Sequence, residues 1–269
     1  MFRADLHCHS TCSDGSLTPE ELILLAKEKG LSALSITDHD TIGAYQTEFL
    51  RFAETQEILL CPGVEFSSSF KSKSIHVLGY AFPIPNPIIE KFCLEHYQRR
   101  KRRNLNILEK LRRVRMPIEE QELSNFNIPV VGRPHIAKLM VEKGYVKDVK
   151  EAFQKYIGDN KPCYDTGPAF SVEQTISILH EGGGKAFIAH PHLIKYKNVI
   201  KYLLSLPFDG IECYYARFSP AQEKKWLDIA KEKNLMISGG SDFHGSFKPG
   251  IELGSSWVDE ETFQIIMKS

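Results

Sequence analysis

Residues 2–30 read FRADLHCHSTCSDGSLTPEELILLAKEKG, in which a strand pattern is followed by a polar loop and a helix pattern. The letters FRADLH are typical of a strand. Thr18 and Glu21 form a capping box around Pro19 at the first helical position, and Gly30 lies where the helix is expected to end. The stretch therefore predicts one β–α unit whose loop carries histidines and acidic residues.

The same alternation of strands and helices continues along the chain. The strand pattern LSALSIT at 31–37 precedes a helix pattern at 42–56. Further strands are predicted at 57–66, 74–82, 185–190, 208–215, 235–243 and 255–258. Repeated β–α units favour an α/β fold with a parallel sheet, which is either open or closed into a barrel.

Helical patterns replace this alternation between about residues 88 and 165. Pro83, Pro85 and Pro87 mark the change, and the segment soon enters the basic run RRKRRNLNILEKLRRVR at 99–115. We therefore expect residues 1–87 and 166–269 to form a barrel domain and residues 88–165 to form a helical insertion.

Composition and charge exclude several classes of protein. The 269 residues include 34 basic and 34 acidic ones, so no global charge favours nucleic acid or an anionic membrane. The N-terminal residues lack the apolar core of a signal peptide, and no apolar run approaches membrane-spanning length. The six cysteines are scattered without a CxxC pair, which suits reduced thiols in the cytoplasm. We expect no membrane association and no obligate protein partner.

Nine potential metal ligands recur along the chain, and most lie directly after a predicted strand. They are His7, His9, Asp14, His39, Glu65, His76, His190, Asp242 and His244. The carboxyl ends of barrel strands meet at one face of the barrel. Ligands that directly follow strands therefore favour a barrel whose metal site lies at that face. The sequence contains neither a GxGxxG nor a GxxxxGK[ST] loop, which argues against an open nucleotide-binding sheet.

Each of these residues has a simpler interpretation when taken alone. His7 and His9 point to the same face of a strand and can chelate one cation, but such a pair also fits a polar surface strand. Asp14 fits a turn, and the other histidines fit core residues bonded to backbone carbonyls. Their coincidence at so many strand ends instead predicts a site for several divalent cations.

The ordered motifs resemble those of a known superfamily. DLHCHSTCSDGSLTPEEL, TDHDT, PGVEFS, IHVLGY, AHP and SDFHG are similar to the motifs of the PHP (polymerase and histidinol phosphatase) superfamily over nearly the whole chain. The resemblance implies a distorted (β/α)7 TIM-like barrel that holds three divalent ions, with manganese expected and iron or zinc as alternatives. It also implies three ligand sets: His7, His9, Glu65 and Asp242; Glu65, His76 and His190; and Asp14, His39 and His244.

A narrower resemblance concerns the stand-alone branch that dephosphorylates nucleoside 3′,5′-bisphosphates and trims short RNA from the 5′ end. TDHDTIGA, GRPH and the late YxxxSPxQ carry it, and that branch has a similar helical insertion. The chain departs from the branch pattern at His192 and Leu193, where HPGR is common, and at Phe218, where histidine is common. The departures concern substrate contacts.

Five further residues are candidate substrate contacts. They are Arg100, Arg103, Arg133, His135 and Arg217. In the GRPH motif a guanidinium suits bidentate contact with phosphate, although the motif also fits a helix start with an exposed arginine. The basic run at 99–115 is either an electrostatic track for an oligonucleotide or a solvated helix face.

These residues together predict hydrolysis of a phosphate ester. Three dications, three carboxylates and neutral histidines leave a charge of about +3, which favours hydroxide and a phosphate dianion. Asp40 and His192 are candidate proton donors to the leaving group. We expect a metal-dependent phosphoesterase acting on a nucleotide phosphomonoester, with short RNA as a further substrate. The alternatives are a histidinol-phosphate phosphatase and a non-catalytic metal-binding module that docks on nucleic acid or a polymerase.

Overall fold

The computed structural model describes residues 1–71, 73–126, 128, 130–167 and 170–268. The strands are β1 (Ala4–Cys8), β2 (Ala33–Ile36), β3 (Leu59–Leu60), β4 (Gly63–Phe70), β5 (Lys73–Tyr80), β6 (Lys185–Ile188), β7 (Gly210–Tyr215) and β8 (Met236–Gly240). The α-helices are α1 (Pro19–Glu28), α2 (Thr47–Thr55), α3 (Pro87–Arg113), α4 (Glu120–Ser124), α5 (Arg133–Glu142), α6 (Val149–Ala152), α7 (Val172–Glu181), α8 (Lys197–Leu203), α9 (Pro220–Lys233) and α10 (Glu260–Met267).

The strands form two sheets that meet at two seams. One sheet has the parallel order β1-β2-β3, and the other has the order β4-β5-β6-β7-β8. Single parallel bridges join them, between Cys8 and Phe243 at one seam and between His39 and Glu65 at the other. Because the ladder is reduced to single bridges at the seams, the barrel is distorted. The predicted α/β class with a TIM-like barrel is confirmed.

The sheets are not parallel throughout. Strand β5 pairs antiparallel with both β4 and β6, whereas β6, β7 and β8 pair in parallel. The expectation of a parallel sheet was therefore wrong for this part of the barrel. The link between β4 and β5 is far shorter than the dozen or more residues that a parallel crossover needs.

Two predicted strands also differ from the structure. The strand predicted at 57–66 is broken at Pro62 into β3 and β4, which belong to different sheets. The strand predicted at 255–258 is a single antiparallel bridge between Val258 and Ala4. The capping box at the start of α1 is confirmed, since Thr18 Oγ1 accepts from the Glu21 amide at 3.2 Å and the Glu21 carboxylate accepts from the Thr18 amide at 2.8 Å.

Helix α3 connects two hydrophobic cores. Ile89 and Phe92 in its first half pack into the barrel core, whereas Ile107 and Leu111 in its second half pack into a separate core within the helical segment. The separate core supports the predicted helical insertion. Since α3 belongs to both cores, the exact boundaries 88 and 165 stay a prediction. Among the described residues, no helix combines the length and the apolarity needed to cross a membrane.

Candidate metal centre

One end of the barrel gathers all nine predicted ligands. His7 lies in β1, Glu65 in β4 and His76 in β5, and the others follow strand ends. The backbone is held in unusual conformations at this end: His190 has φ 26° and Asp242 has φ 57°, both in the left-handed region that non-glycine residues seldom adopt. The Asp242 amide donates to the His7 carbonyl at 2.7 Å, which fixes this turn against β1. Strained backbone of this kind is concentrated at functional sites.

Glu65 is the centre of the cluster. Its Oε2 lies 3.3 Å from His7 Nε2, 3.1 Å from His9 Nε2 and 3.2 Å from His39 Nδ1. Its Oε1 lies 2.8 Å from both His76 Nδ1 and His190 Nε2. Each carboxylate oxygen thus faces its own set of imidazoles. This is the arrangement expected of a carboxylate that bridges two cations.

Three groups of side chains are close enough to hold a cation. They are His9, Asp14, His39 and His244; His7, His9 and Asp242; and His39, Glu65 and His76, with the potential ligand atoms within 4.8 Å of one another in each group. These groups resemble the three implied ligand sets, but His9 and His39 each belong to two of them. His190 approaches the third group, with its Nε2 at 3.2 Å from His76 Nδ1.

The donor atoms fit divalent cations. His9 Nδ1 and Nε2 and His39 Nδ1 are buried; although two of these atoms lie 3.1 and 3.2 Å from Glu65 Oε2, none forms a well-aligned hydrogen bond among the described residues, which is costly unless a ligand satisfies them. Burial lowers the pKa of His9 to about 3, with His244 adding to the effect, and burial lowers the pKa of His39 to about 4. Both rings are therefore neutral near pH 7, as a metal ligand must be.

The charge on the carboxylates also suits cations. Burial alone would raise the pKa of Glu65, but the surrounding histidines outweigh it and hold that pKa well below its ordinary value. At His7, burial is outweighed by Glu212, Glu65 and Asp242, so the pKa of this imidazole lies well above its ordinary value. A divalent cation among these carboxylates would replace the proton on His7.

Glu212 is a buried carboxylate that sequence reasoning missed. It lies in β7 with 0% exposure; its Oε1 is 2.7 Å from His7 Nδ1, and its Oε2 accepts the His190 amide at 2.6 Å. The contact leaves His7 Nε2 facing Glu65 and Asp242. Carboxylates in this position set the tautomer and orientation of a ligating histidine. An acidic residue inside the apolar strand pattern of FDGIECYY was the available signal.

Two further residues that the sequence did not single out hold Asp242. Its Oδ1 faces His7 and His9 at 3.7 Å and His244 Nδ1 at 3.4 Å. On the other side, Tyr215 Oη donates to its Oδ2 at 3.0 Å, and Lys248 Nζ forms an ion pair with the same oxygen. These two donors direct Oδ1 toward the imidazoles.

The ligand cluster opens into a cavity of about 1070 Å³ between the barrel and the helical insertion. Its wall on the insertion side carries four arginines, namely Arg99, Arg100, Arg103 and Arg133. The guanidinium of Arg100 donates to Asp40 Oδ2 at 2.5 Å and to Ser67 Oγ at 2.9 Å, and that of Arg103 donates to Asn104 Oδ1 at 3.0 Å. Burial and the neighbouring Arg100 lower the pKa of Arg103 well below its ordinary value. Such crowded cations provide a site for an anion.

The other predicted substrate contacts differ in position. Arg133 lines the cavity beside the rings of Phe153 and Tyr164, at 5.7 and 5.1 Å from their centroids. Arg217 also lines it but is exposed. His135 is buried, and its Nδ1 accepts from the Gly132 amide at 2.9 Å. The structure thus places His135 at the start of α5 as a cap, behind the cavity wall.

The pKa values of both candidate proton donors are lowered, which does not favour a protonated acid near neutral pH. Asp40 is buried between Arg100 and His96, and although burial alone would raise its pKa, these partners hold the pKa well below its ordinary value. Asp40 is therefore an ionised carboxylate that positions Arg100. Burial lowers the pKa of His192 to about 4, with His190 adding to the effect, and its ring packs on Tyr215 and Phe218 at 4.5 and 4.7 Å.

A cluster of histidines and carboxylates at the carboxyl end of a distorted barrel, next to a wall of arginines, defines a metal-dependent hydrolase of anionic esters. The chain belongs to the PHP domain family, which it matches over residues 5–248.

Known proteins similar to the chain cover nearly all of it. It is 34% identical to the 5′-3′ exoribonuclease Rnm of Salmonella typhimurium, over 93% of this chain and 87% of the relative. It is 30% identical to the 3′,5′-nucleoside bisphosphate phosphatase of Chromobacterium violaceum, over 94% of this chain and 91% of the relative. The fold is similar to a structure from Bifidobacterium adolescentis assigned to the metal-dependent phosphoesterases, with a TM-score of 0.87, 28% identity and 98% and 95% of the two chains covered.

The family and these relatives confirm the predicted class of function. The chain is a metal-dependent phosphoesterase, and its histidine and carboxylate clusters are able to bind metal. The alternatives, a histidinol-phosphate phosphatase and a non-catalytic module, are not favoured by these comparisons.

Proposed function

We propose that the protein removes the 3′-phosphate from a nucleoside 3′,5′-bisphosphate and also trims short RNA from its 5′ end. The observation that carries this proposal is the presence of two anion-binding regions in one cavity. The ligand cluster around Glu65 and the arginine wall of Arg99, Arg100, Arg103 and Arg133 both line this cavity. A substrate with two phosphates can occupy both.

We assign the nine predicted ligands to three divalent ions, with manganese as the expected metal. The three groups of close ligand atoms support this number. When bound, the ions supply hydroxide from water near neutral pH and neutralise the charge on the phosphoryl oxygens. Glu212 and the pair Tyr215 and Lys248 position His7 and Asp242 as ligands.

The arginine wall receives the phosphate that does not react. Arg100 is fixed by Asp40 and Ser67, so its guanidinium is oriented before substrate binds. We place the 5′-phosphate at the arginines and the phosphorus on the 3′ oxygen of the same nucleotide at the ligand cluster. Hydrolysis then breaks the bond between this phosphorus and the ribose 3′ oxygen, which takes up a proton. The same bond is broken whether the phosphate is terminal or continues into an RNA chain.

The proposal assigns the protein to the cytoplasm. All six cysteines are free thiols, four of them buried, which supports a reducing compartment.

The test measures phosphate release from 3′,5′-bisphosphorylated adenosine and from histidinol phosphate, and release of a nucleoside 5′-monophosphate from 5′-phosphorylated short RNA, each with Mn²⁺ and with chelator. We expect turnover of the bisphosphate that is abolished by chelator and by His39→Ala. His180→Ala is the matched control, because His180 is exposed and pairs with Asp209 at 2.8 Å away from the cavity. Preference for histidinol phosphate would overturn the nucleotide assignment. A fully metal-loaded protein that turns over none of the three substrates would overturn it as well.

A further inference from the structure

Helix α5 presents one face to the cavity along most of its length. Pro134, Lys138, Val141 and Glu142 line the cavity and have the spacing i, i+4, i+7 and i+8 that places side chains on one side of a helix. The opposite side, with Ile136 and Met140, packs in the core of the insertion. Because a helix rises about 1.5 Å per residue, this wall extends the cavity by about 12 Å.

The cavity is large for one nucleotide. Its volume of about 1070 Å³ is slightly above the ~300–1,000 Å³ typical of sites that enclose a drug-sized ligand. A nucleoside bisphosphate that joins the arginine wall to the ligand cluster therefore leaves part of the cavity free along α5.

Lys138 is an exposed cation on this part of the cavity wall. Its Nζ lies 5.7 and 5.8 Å from the ring centroids of Phe126 and Phe247, so two aromatic rings hold the ammonium group. No ion pair joins Lys138 to a carboxylate among the residues that the structure describes. Farther out, Lys147 and Lys150 share the wall with the acidic Glu142 and Asp148 and add little net charge.

Lys138 and Arg133 line the same cavity but leave α5 in different directions. Lys138 follows Arg133 by five residues, which is about 7.5 Å along the helix axis and about 140° around it. Phe247, which holds its ammonium group, follows His244 by only three residues. Lys138 therefore lines the same cavity as the ligand cluster and contacts the segment that carries His244.

We infer that Lys138 binds the phosphate that follows the scissile one, and so selects RNA substrates of at least three nucleotides. This inference rests on the proposed function. A 5′-phosphorylated dinucleotide has two phosphates, which the arginine wall and the ligand cluster take. A 5′-phosphorylated trinucleotide has a third phosphate, for which we assign the ammonium group near Phe126 and Phe247 as the partner. Single-stranded nucleic acid is commonly bound in such positively charged grooves with aromatic residues.

The test compares the KM values of the Mn²⁺-loaded enzyme for 5′-phosphorylated diadenylate and triadenylate. We expect Lys138→Ala to raise KM for the trinucleotide about tenfold more than for the dinucleotide, and Lys138→Arg to restore most of the difference. The slope of log KM against log salt for the trinucleotide should fall by about 0.7, the value for one lost contact to a single strand. Lys225→Ala is the matched control, since Lys225 is an exposed lysine 4.3 Å from the Trp226 ring, outside the cavity.

Equal effects of Lys138→Ala on the two substrates, or no effect on either, would overturn the inference. A measurement of oligonucleotide binding distinguishes failure of this inference from failure of the proposed function. If the wild-type enzyme hydrolyses neither oligonucleotide, the dissociation constants of fluorescein-labelled di- and triadenylate are measured by anisotropy with the Mn²⁺-loaded protein. A preference for the trinucleotide that is lost in Lys138→Ala and kept in Lys225→Ala would still support the subsite. Binding of both lengths with equal affinity by the wild type would reject it.

Discussion

The two sides of helix α3 carry the same kind of side chain in different environments. On the side facing the cavity, Arg99, Arg100 and Arg103 are 8%, 5% and 6% exposed. On the solvent side, the side chains of Arg112 and Arg113 are 64% and 73% exposed. The buried arginines have the helical spacing i, i+1 and i+4. They therefore lie on one side of α3, the same side as the apolar residues that pack into the barrel core.

The exposed and buried arginines of α3 also differ in their ion-pair partners. Arg112 pairs with Glu119 at 3.0 Å, and Arg113 pairs with Glu109, so the exposed charges are balanced within the insertion. Among the residues described, the only carboxylate within 4 Å of the three buried arginines is Asp40, at Arg100. Excess positive charge is therefore concentrated at the cavity, although the net charge of the whole chain is zero. A basic run in a sequence locates charge along the chain but does not say which side of a helix binds the anion.

The largest expected effect is on stability and concerns Arg100. Arg100→Ala removes one partner of a buried ion pair, because Asp40 is 1% exposed and lies 2.5 Å from the guanidinium. We expect a loss of about 3–5 kcal/mol in the free energy of unfolding. Arg112→Ala, which breaks an exposed pair, should cost less than about 1 kcal/mol. Urea unfolding of both variants in chelator measures the difference, and the double variant Arg100→Ala with Asp40→Asn should recover part of the loss. Equal, small losses of unfolding free energy in Arg100→Ala and Arg112→Ala would show that the buried ion pair stabilises the protein no more than the exposed one.

Much of the metal centre could be predicted from the sequence because its residues follow strands. Chain direction brings the carboxyl ends of β2, β6 and β8 to one end of the barrel, and so His39, His190 and Asp242 meet there whatever the exact register. Glu65 and His76 also reach this end, although β5 runs antiparallel to β4. The antiparallel pairing itself was predictable, because only seven residues separate the strands predicted at 57–66 and 74–82.

Residues that act through other residues were harder to predict. Glu212 lies 205 residues from His7, and neither Glu212 nor Lys248, six residues after Asp242, has a local pattern that marks it as the partner of a ligand. The GRPH motif predicts a helix start correctly, but it does not show that the His135 ring caps the helix while Arg133 faces the cavity. Sequence patterns identify ligands at strand ends better than the residues that orient them.

The second expected effect extends the comparison of buried and exposed charges from α3 to the barrel. Glu212→Gln keeps the size of the side chain but removes the charge that holds His7 through its Nδ1. We expect metal affinity to fall by about 10–100-fold, the usual effect of removing a carboxylate behind a ligating histidine. Metal titration of the purified protein measures this without substrate. Glu232→Gln, which changes an exposed glutamate paired with Lys233, should leave the affinity within twofold of the wild type. Unchanged affinity in Glu212→Gln would argue against a positioning role for Glu212.

A third effect, of about tenfold, compares adjacent residues on opposite sides of α3. Arg103→Gln removes a buried cavity-lining charge, whereas Arg102→Gln removes an exposed one. A lost charge-assisted contact costs about 1.5–3 kcal/mol, so KM for 3′,5′-bisphosphorylated adenosine should rise about tenfold or more in Arg103→Gln. In Arg102→Gln it should stay within twofold. Similar values in the two variants would show that the wall at Arg103 does not hold the second phosphate.

The smallest expected effect decides whether the solvent side of α3 has any part in RNA binding. Each contact to a single-stranded phosphate contributes about 0.7 to the slope of log KM against log salt. If the exposed arginines formed a track, the triple variant Arg102→Gln, Arg112→Gln and Arg113→Gln would reduce this slope for 5′-phosphorylated RNA by about 2. We expect no change beyond error, because Arg112 and Arg113 are already paired with Glu119 and Glu109. Arg103→Gln, on the cavity side, removes an arginine that pairs with no carboxylate among the described residues, and should lower the slope for the same RNA by about 0.7. A large reduction in the triple variant would place the RNA on the outer surface of the insertion, and the comparison between the two sides of α3 would then have to be reversed.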